Sequence, residues 1–142
     1  MKKVFKPFMV AAAFAGLVTV SSCSKTCDPG YEGTDCKTET RAKYIGAFTG
    51  TETCDGGTST ITITYAAPSQ GTDVTAVTIQ NLYGANFVST GTVQADGSIN
   101  IPSQTFGTGT ISGSITVTGG KIKATYVVAG GGNSDNCSWV QN

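Results

Sequence analysis

Alternation of apolar and β-branched polar residues governs most of this sequence. Between residues 60 and 65, threonine occupies every even position, while Ile61, Ile63 and Tyr65 occupy the odd ones. Successive side chains of a strand point to opposite faces, so this pattern predicts one buried and one solvated face. Threonine occurs 23 times and glycine 19 times, a composition that suits short strands joined by tight turns. The chain is therefore expected to be all-β.

Short groups of turn-forming residues separate the alternating segments. They form the joints Asp55-Gly56-Gly57, Pro68-Ser69-Gln70-Gly71, Asp96-Gly97 and Gly119-Gly120. Because these turns are short, strands that follow each other in the sequence should pair antiparallel. About eight strands fit between Tyr44 and Gln141, with Pro102 and the loop to Gly109 as the one irregular passage. The expected fold is a small antiparallel meander barrel of about eight strands, lipocalin-like in its order.

Two distant cysteines favour closure of this sheet. Cys54 ends the first predicted strand and Cys137 begins the last, so an even-stranded meander places both at the same rim. A bridge between them would clamp the first strand to the last, as a barrel requires. An inter-sheet bridge in a sandwich would satisfy the same spacing and is the alternative. A membrane-spanning barrel fits less well, because its strands run about 9 to 11 residues and carry aromatic girdles.

The N-terminal segment has the features of an export signal. Three lysines within residues 1–6 precede an apolar run over residues 9–20, which is shorter than the roughly 20 residues of a membrane-spanning helix. Val20-Ser21-Ser22-Cys23 then resembles the lipobox of bacterial lipoproteins. The resemblance implies cleavage before Cys23, a palmitate-type lipid on Cys23 and attachment to the cell envelope; Ser24, in place of an aspartate, favours the outer membrane. An ordinary signal peptide cut near a cysteine is the alternative.

A second short motif follows the anchor. The segment from Cys27 to Cys36 reads C-x-P-G-Y-x-G-x-x-C and resembles the last part of an EGF-like module. That resemblance implies a Cys27–Cys36 disulfide, whereas four cysteines alone permit three pairings. Lys25 stands where the family has a further cysteine, so the module is truncated and no calcium site is expected.

The overall layout resembles that of small bacterial lipoproteins with a compact β domain and no established activity. It divides the chain into a signal peptide (1–22), an anchor with hairpin and polar linker (23–43) and the barrel domain (44–142). With the hairpin bridged, an extended linker would allow a stalk of at most roughly 45 to 50 Å between the lipid and Tyr44.

Several function classes are disfavoured by what the sequence lacks. Without histidine, neither a Ser-His-Asp nor a Cys-His catalytic arrangement can form within this chain. A carboxylate pair would need Glu52, the only glutamate of the barrel domain, together with an aspartate that sits in a turn. Asn133, Asp135 and Asn136 offer oxygen ligands, but their spacing matches no calcium loop. We expect no catalytic residue, no metal and no cofactor.

The remaining hypotheses concern binding. Cleavage would leave six basic and nine acidic residues, a net charge of about −3 without a basic cluster, so nucleic acid is not an expected partner. Tyr83 and Phe106 lie beside glycines outside the regular alternation and are the candidate ligand contacts. The sequence thus favours a membrane-anchored, non-catalytic binding or structural module whose partner is a protein or glycan. The alternative is a lipocalin-like carrier of a small apolar ligand.

Overall fold

The structure, a computed structural model, describes residues 26–142. The predicted signal peptide and the predicted lipid-bearing Cys23 lie outside the described residues. Within residues 26–142, no helix is long and apolar enough to cross a membrane. Strands and turns account for almost all of this part of the chain, which confirms the all-β prediction.

A disulfide-bonded hairpin comes first. Strand β1 (Tyr31–Glu32) pairs antiparallel with β2 (Thr38–Glu39), and Cys27 is bonded to Cys36. Gly33, in the turn between the strands, has φ +90, a backbone conformation that glycine adopts without steric cost. A 3₁₀ turn (Thr40–Lys43) follows. The prediction of a polar linker after Cys36 was therefore wrong, because that segment forms β2 and the 3₁₀ turn and buries the side chain of Thr40.

The hairpin is docked on one end of the barrel. The Arg41 guanidinium donates from Nη1 to the carbonyl oxygens of Asp73 (3.0 Å) and Ala76 (2.9 Å). Gly30 lies so close to Val74 that a Cβ atom on it would stand 2.8 Å from the valine Cγ2. These contacts correct the expectation of an extended stalk. Only three residues of sequence separate Cys23 from Cys27, and the hairpin beyond them is part of the folded unit.

Eight antiparallel strands form the closed barrel, in sequence order around the ring. They are β3 (Gly46–Cys54), β4 (Gly57–Ala66), β5 (Ala76–Gln80), β6 (Val88–Val93), β7 (Ile99–Phe106), β8 (Gly109–Thr118), β9 (Lys121–Gly130) and β10 (Asn133–Gln141). The last strand pairs with the first, with Cys137 opposite Cys54. The Cys54–Cys137 disulfide lies at this seam. Closure confirms the predicted meander barrel over the sandwich.

The segment after Pro102, predicted as an irregular loop to Gly109, is mostly strand. Strand β7 continues through it to Phe106, and only Gly107 and Thr108 form the turn to β8. The irregularity is a bulge between Ile101 and Gln104, where the register with β8 shifts. Proline has no N–H to donate to a ladder, and a bulge accommodates that loss without ending the strand.

The inward-facing side chains fill the barrel. The largest fully buried ones are Trp139, Tyr44, Tyr65, Tyr126, Ile63, Ile79, Leu82, Ile99, Ile101, Ile111, Ile115 and Val77. Alternation along β8 also predicts an inward-facing Val117, in phase with Ile111 and Ile115, and this prediction was wrong. Val117 lies one residue from the end of β8 and is 38% exposed, because the end of a strand extends past the packed interior.

Alternate turns of a meander barrel lie at opposite ends, which gives this molecule two distinct rims. We call the end that carries the Cys54–Cys137 bridge the disulfide rim; it includes residues 55–56, 81–87, 107–108 and 131–132. The other end, the hairpin rim, includes residues 67–75, 94–98 and 119–120. The docked hairpin contacts the hairpin rim, through Asp73 and Val74 among others.

Candidate functional site

The loop over residues 81–87 covers the mouth of the barrel at the disulfide rim. Leu82 is fully buried there, and the flanking backbone turns sharply around it. Asn81, Tyr83 and Asn86 have positive φ values of 73°, 61° and 49°, a region that side chains other than glycine, asparagine and aspartate rarely adopt. The conformation of Tyr83 is unfavourable by about 1–3 kcal/mol in isolation, so surrounding contacts must maintain it.

Glu52 provides those contacts from inside the barrel. Its carboxylate accepts a hydrogen bond from the Tyr83 backbone N–H (3.1 Å) and another from the Tyr126 hydroxyl. The Tyr83 N–H also lies 3.0 Å from the Tyr126 oxygen. Burial, followed by the hydrogen bond and negative charge of Glu52, raises the pKa of Tyr126. The hydroxyl therefore remains a donor at neutral pH, and the buried carboxylate is satisfied by partners rather than left free.

These contacts give Glu52 a structural role at the rim. It is 5% exposed and faces inward, in phase with Phe48 of the same strand. Sequence reasoning considered Glu52 only as half of a carboxylate pair and missed its structural role. The signal was present, because a glutamate at an inward-facing position of a strand must find buried hydrogen-bond partners.

Tyr83 and Phe106, the two contacts predicted from the sequence, lie side by side at this rim. Their ring centroids are 6.0 Å apart and the planes meet at 87°. Phe87, which the sequence did not single out, packs edge to face on Phe106 at 5.1 Å. The β6–β7 ladder contains only two residue pairs, next to the 94–98 turn at the hairpin rim. Beyond these pairs, the Gln104 side chain connects β7 to β6: its Oε1 accepts the Thr90 backbone N–H, and its Nε2 donates to the Thr90 carbonyl.

A groove of about 430 Å³ opens beside these rings. Its lining includes Tyr83, Phe106, residues 107–109 and 128–130, and Asp135. The Tyr83 hydroxyl donates to Asp135 Oδ2 at 2.7 Å, which raises the pKa of Tyr83. The groove thus combines aromatic surface with a carboxylate.

Two aspartates fix the groove to the closing seam. Asp135 Oδ1 accepts the backbone N–H of Asp55 (2.8 Å), while Asp55 Oδ2 accepts both the backbone and side-chain N–H groups of Asn136 (2.9 Å each). These hydrogen bonds lower the pKa of Asp55. Of the residues that offered oxygen ligands in the sequence, Asp135 therefore uses both carboxylate oxygens to brace the rim, and Asn136 contributes through its N–H groups.

A third feature of this rim is a group of residues of metal-ligand type, two of which are joined in a disulfide. Cys54, Cys137 and Asp135 bring ligand-type atoms within 4.8 Å of one another, but the two sulfurs are bonded to each other. A metal site of this kind needs thiolates, which a disulfide does not supply.

The barrel interior, the site required by the carrier alternative, is occupied by its own side chains. Trp139, Tyr65 and Tyr126 are at most 1% exposed there, and eight strands leave a lumen just wide enough for side chains or one small ligand. The groove at the disulfide rim is consequently the better-supported site. The chain matches no protein-family model, no curated protein and no solved structure.

Proposed function

We propose that this chain is a lipid-anchored, non-catalytic binding module of the bacterial cell envelope, most consistent with the outer membrane, which captures a protein or glycan partner at the disulfide rim. The observation that carries the proposal is the exposed Tyr83 beside the half-buried Phe106, in a groove on a closed and disulfide-braced barrel. Aromatic side chains that combine apolar surface with polar neighbours are frequent in recognition sites.

The placement of the groove supports this proposal. The hairpin, which follows the proposed lipid-bearing Cys23 in sequence, docks on the hairpin rim, and the groove lies on the opposite rim. An anchor at the hairpin end would leave the groove facing away from the membrane, where a partner can reach it.

The rigidity of the groove also supports the proposed binding function. Ordering a flexible surface during binding reduces affinity, whereas a preformed site avoids that loss. The groove is preformed because Glu52 holds the Tyr83 backbone and Asp135 holds its hydroxyl. The absence of histidine from the sequence is consistent with a non-catalytic role.

Site-specific photocross-linking in intact cells tests the binding surface. A photoreactive phenylalanine analogue at position 106 should give a discrete adduct, and the same analogue at position 117, an exposed site towards the hairpin rim, should not. Equal labelling from both positions, or no adduct from position 106, would contradict the assignment of the groove.

The anchor is tested separately. Mass spectrometry of the mature protein should find diacylglycerol on Cys23, and Cys23→Ala should release the chain from the membrane fraction. A mature protein that retains residues 1–22, or that remains membrane-bound without Cys23, would contradict the lipoprotein proposal.

A further inference from the structure

The two ends of the barrel differ in charge. The disulfide rim carries the three carboxylates of Glu52, Asp55 and Asp135, and no lysine or arginine of the described chain lies there. All described basic residues belong to the hairpin segment or to the first three residues of β9: Lys37, Arg41, Lys43, Lys121 and Lys123. The two salt bridges found in residues 26–142, Arg41–Glu39 and Lys43–Glu32, also lie at the hairpin end.

The disulfide rim, which has carboxylates but no described basic residue, also contains the aromatic groove. Asp135 lines the groove beside Tyr83 and Phe106, and it also lines an adjoining groove of about 340 Å³ that contains Glu52. Tyr83 stands between the two grooves and contributes to both. An aromatic ring next to a carboxylate attracts an organic cation through its negative face, while the carboxylate supplies the counter-charge.

We propose that the disulfide rim binds a basic, extended segment of a partner protein, with a lysine or arginine side chain lying against Tyr83 and Phe106 and its charged end at Asp135. The proposal rests on the binding function proposed above and specifies the chemistry of the partner. Charge complementarity selects this occupant over a neutral one. The two adjoining grooves favour a peptide segment over a compact cation, because together they form a longer path than one cationic group can fill.

The Asp135 carboxylate has acceptor capacity left for a cationic side chain of the partner. Its two oxygens each accept one hydrogen bond, from the Asp55 N–H and from the Tyr83 hydroxyl. Each carboxylate oxygen can accept a second hydrogen bond. The two existing donors are neutral, so the negative charge of Asp135 is oriented but not neutralised. A guanidinium or ammonium group would provide the missing ion pair.

The test uses the full lipidated chain in detergent micelles and three fluorescent peptides of equal length with blocked termini. Glycine alternates with arginine and lysine in the first, with serine in the second and with glutamate in the third. Fluorescence anisotropy should show the basic peptide binding about tenfold or more tightly than the serine peptide. Added salt should weaken this binding, because the contact is an exposed ion pair.

Asp135→Asn should reduce affinity for the basic peptide about tenfold, as should Phe106→Ala. Asp96→Asn is the matched control, since Asp96 is an exposed turn aspartate at the hairpin rim whose Oδ1 also accepts hydrogen bonds; it should leave affinity unchanged. If Asp135→Asn fails to fold, the salt dependence and peptide ranking of the unmodified chain decide the question alone.

Equal affinity for the basic and serine peptides, salt-independent binding, or binding to none of the three peptides would overturn the inference. A neutral oligosaccharide that binds with an affinity insensitive to Asp135→Asn would also overturn it and would indicate glycan recognition instead. In each case an adduct at position 106 in cells would preserve the broader binding function, so the two failures are distinguishable.

Discussion

Gly50 lies in the closing seam, packed tightly against β10. Strands β10 and β3 pair there, with Gln141 opposite Gly50. A Cβ atom at Gly50 would lie 2.4 Å from the carbonyl oxygen of Val140 and 2.5 Å or less from the Trp139 ring. Neither neighbour can move aside, because one is backbone and the other is a fully buried indole. Only glycine fits this position.

We therefore expect Gly50→Ala to lower the free energy of unfolding by about 3 kcal/mol, the upper part of the range for an overpacked core. Urea unfolding followed by tryptophan fluorescence would measure the change. Gly56→Ala is the control, since a Cβ at Gly56 meets no atom within 4 Å; it should change stability by a few tenths of a kcal/mol. Similar losses in both variants would contradict the role assigned to the seam.

Three interior tyrosines predict sensitivity to alkali. Burial raises the pKa of Tyr44 from 10.0 to about 12 and also raises the pKa values of Tyr65 and Tyr126. These hydroxyls lose their protons more readily in the unfolded chain than in the barrel. Stability is therefore fully retained below pH 10 and declines as the pH rises from 10 towards 12 and beyond.

Urea midpoints measured across that pH range should fall continuously, in parallel with delayed tyrosinate absorbance in the folded protein. Tyr44→Phe removes one titrating group together with its hydrogen bond to the Gly97 carbonyl. It should lower stability at neutral pH but make the alkaline decline shallower. A decline as steep as in the unmodified chain would show that Tyr44 does not contribute.

At the scale of elements, a few contacts hold the hairpin against the barrel. Arg41 connects the 3₁₀ turn to two backbone carbonyls of the barrel and to Glu39 at 2.8 Å. The local turn chemistry of the hairpin creates its shape, but the packing of Gly30 against Val74 and Thr75 determines its location.

Arg41→Ala should detach the hairpin without unfolding the barrel. Loss of charged hydrogen bonds of this kind costs about 1.5–3 kcal/mol, and the effect should concentrate at the docking contacts. Hydrogen exchange should accelerate over residues 27–43 and 73–76, with the barrel strands unchanged. Lys37→Ala removes an equal charge from an exposed position and should leave exchange unaffected. Acceleration throughout the barrel would mean that the two parts unfold together.

The two disulfides differ in the size of the loop that they close. In the chain-entropy description, the Cys54–Cys137 bridge, with a sequence separation of 83, stabilises the fold by about 4.5 kcal/mol, and the Cys27–Cys36 bridge, with a separation of 9, by about 2.7 kcal/mol. Alanine pairs at each bridge should reproduce that order in urea unfolding. A larger loss from the hairpin pair would show that docking, rather than loop closure, dominates.

At the scale of the whole molecule, the opposite placement of hairpin and groove predicts an orientation on the membrane. Strands of up to ten residues, at about 3.3 Å each and tilted in the barrel, separate the two rims by about 25 Å. If Cys23 carries lipid, the hairpin rim should lie near the bilayer and the disulfide rim away from it.

Paramagnetic lipid headgroups in a nanodisc provide the measurement. Amide signals of residues 94–98 should broaden strongly, and those of residues 131–132 should remain sharp. Cys23→Ala should abolish the broadening altogether. Equal broadening at both rims of the lipidated chain would show that the docked hairpin does not orient the barrel.

Alternation and turn residues were sufficient to predict the all-β class and the meander order, because each depends on local chemistry repeated along the chain. The prediction that the barrel closes came from the positions of Cys54 and Cys137. The sequence also singled out Tyr83 and Phe106, since both stand outside the alternating pattern. The signal peptide and the lipid on Cys23 remain predictions from the sequence.

Tertiary structure decided the features that depend on distant residues. Whether the segment from Lys37 to Lys43 is a free linker or a docked turn depends on carbonyls more than thirty residues away. Whether Tyr83 and Phe106 form one groove depends on where the closed ring of strands brings the 81–87 loop and the end of β7. The alternation in β3 predicts that Glu52 faces inward. Its hydrogen-bond partners are the Tyr126 hydroxyl and the Tyr83 N–H, and they reach it only when the barrel closes. Local pattern determines which way a side chain points, and only closure determines what it meets.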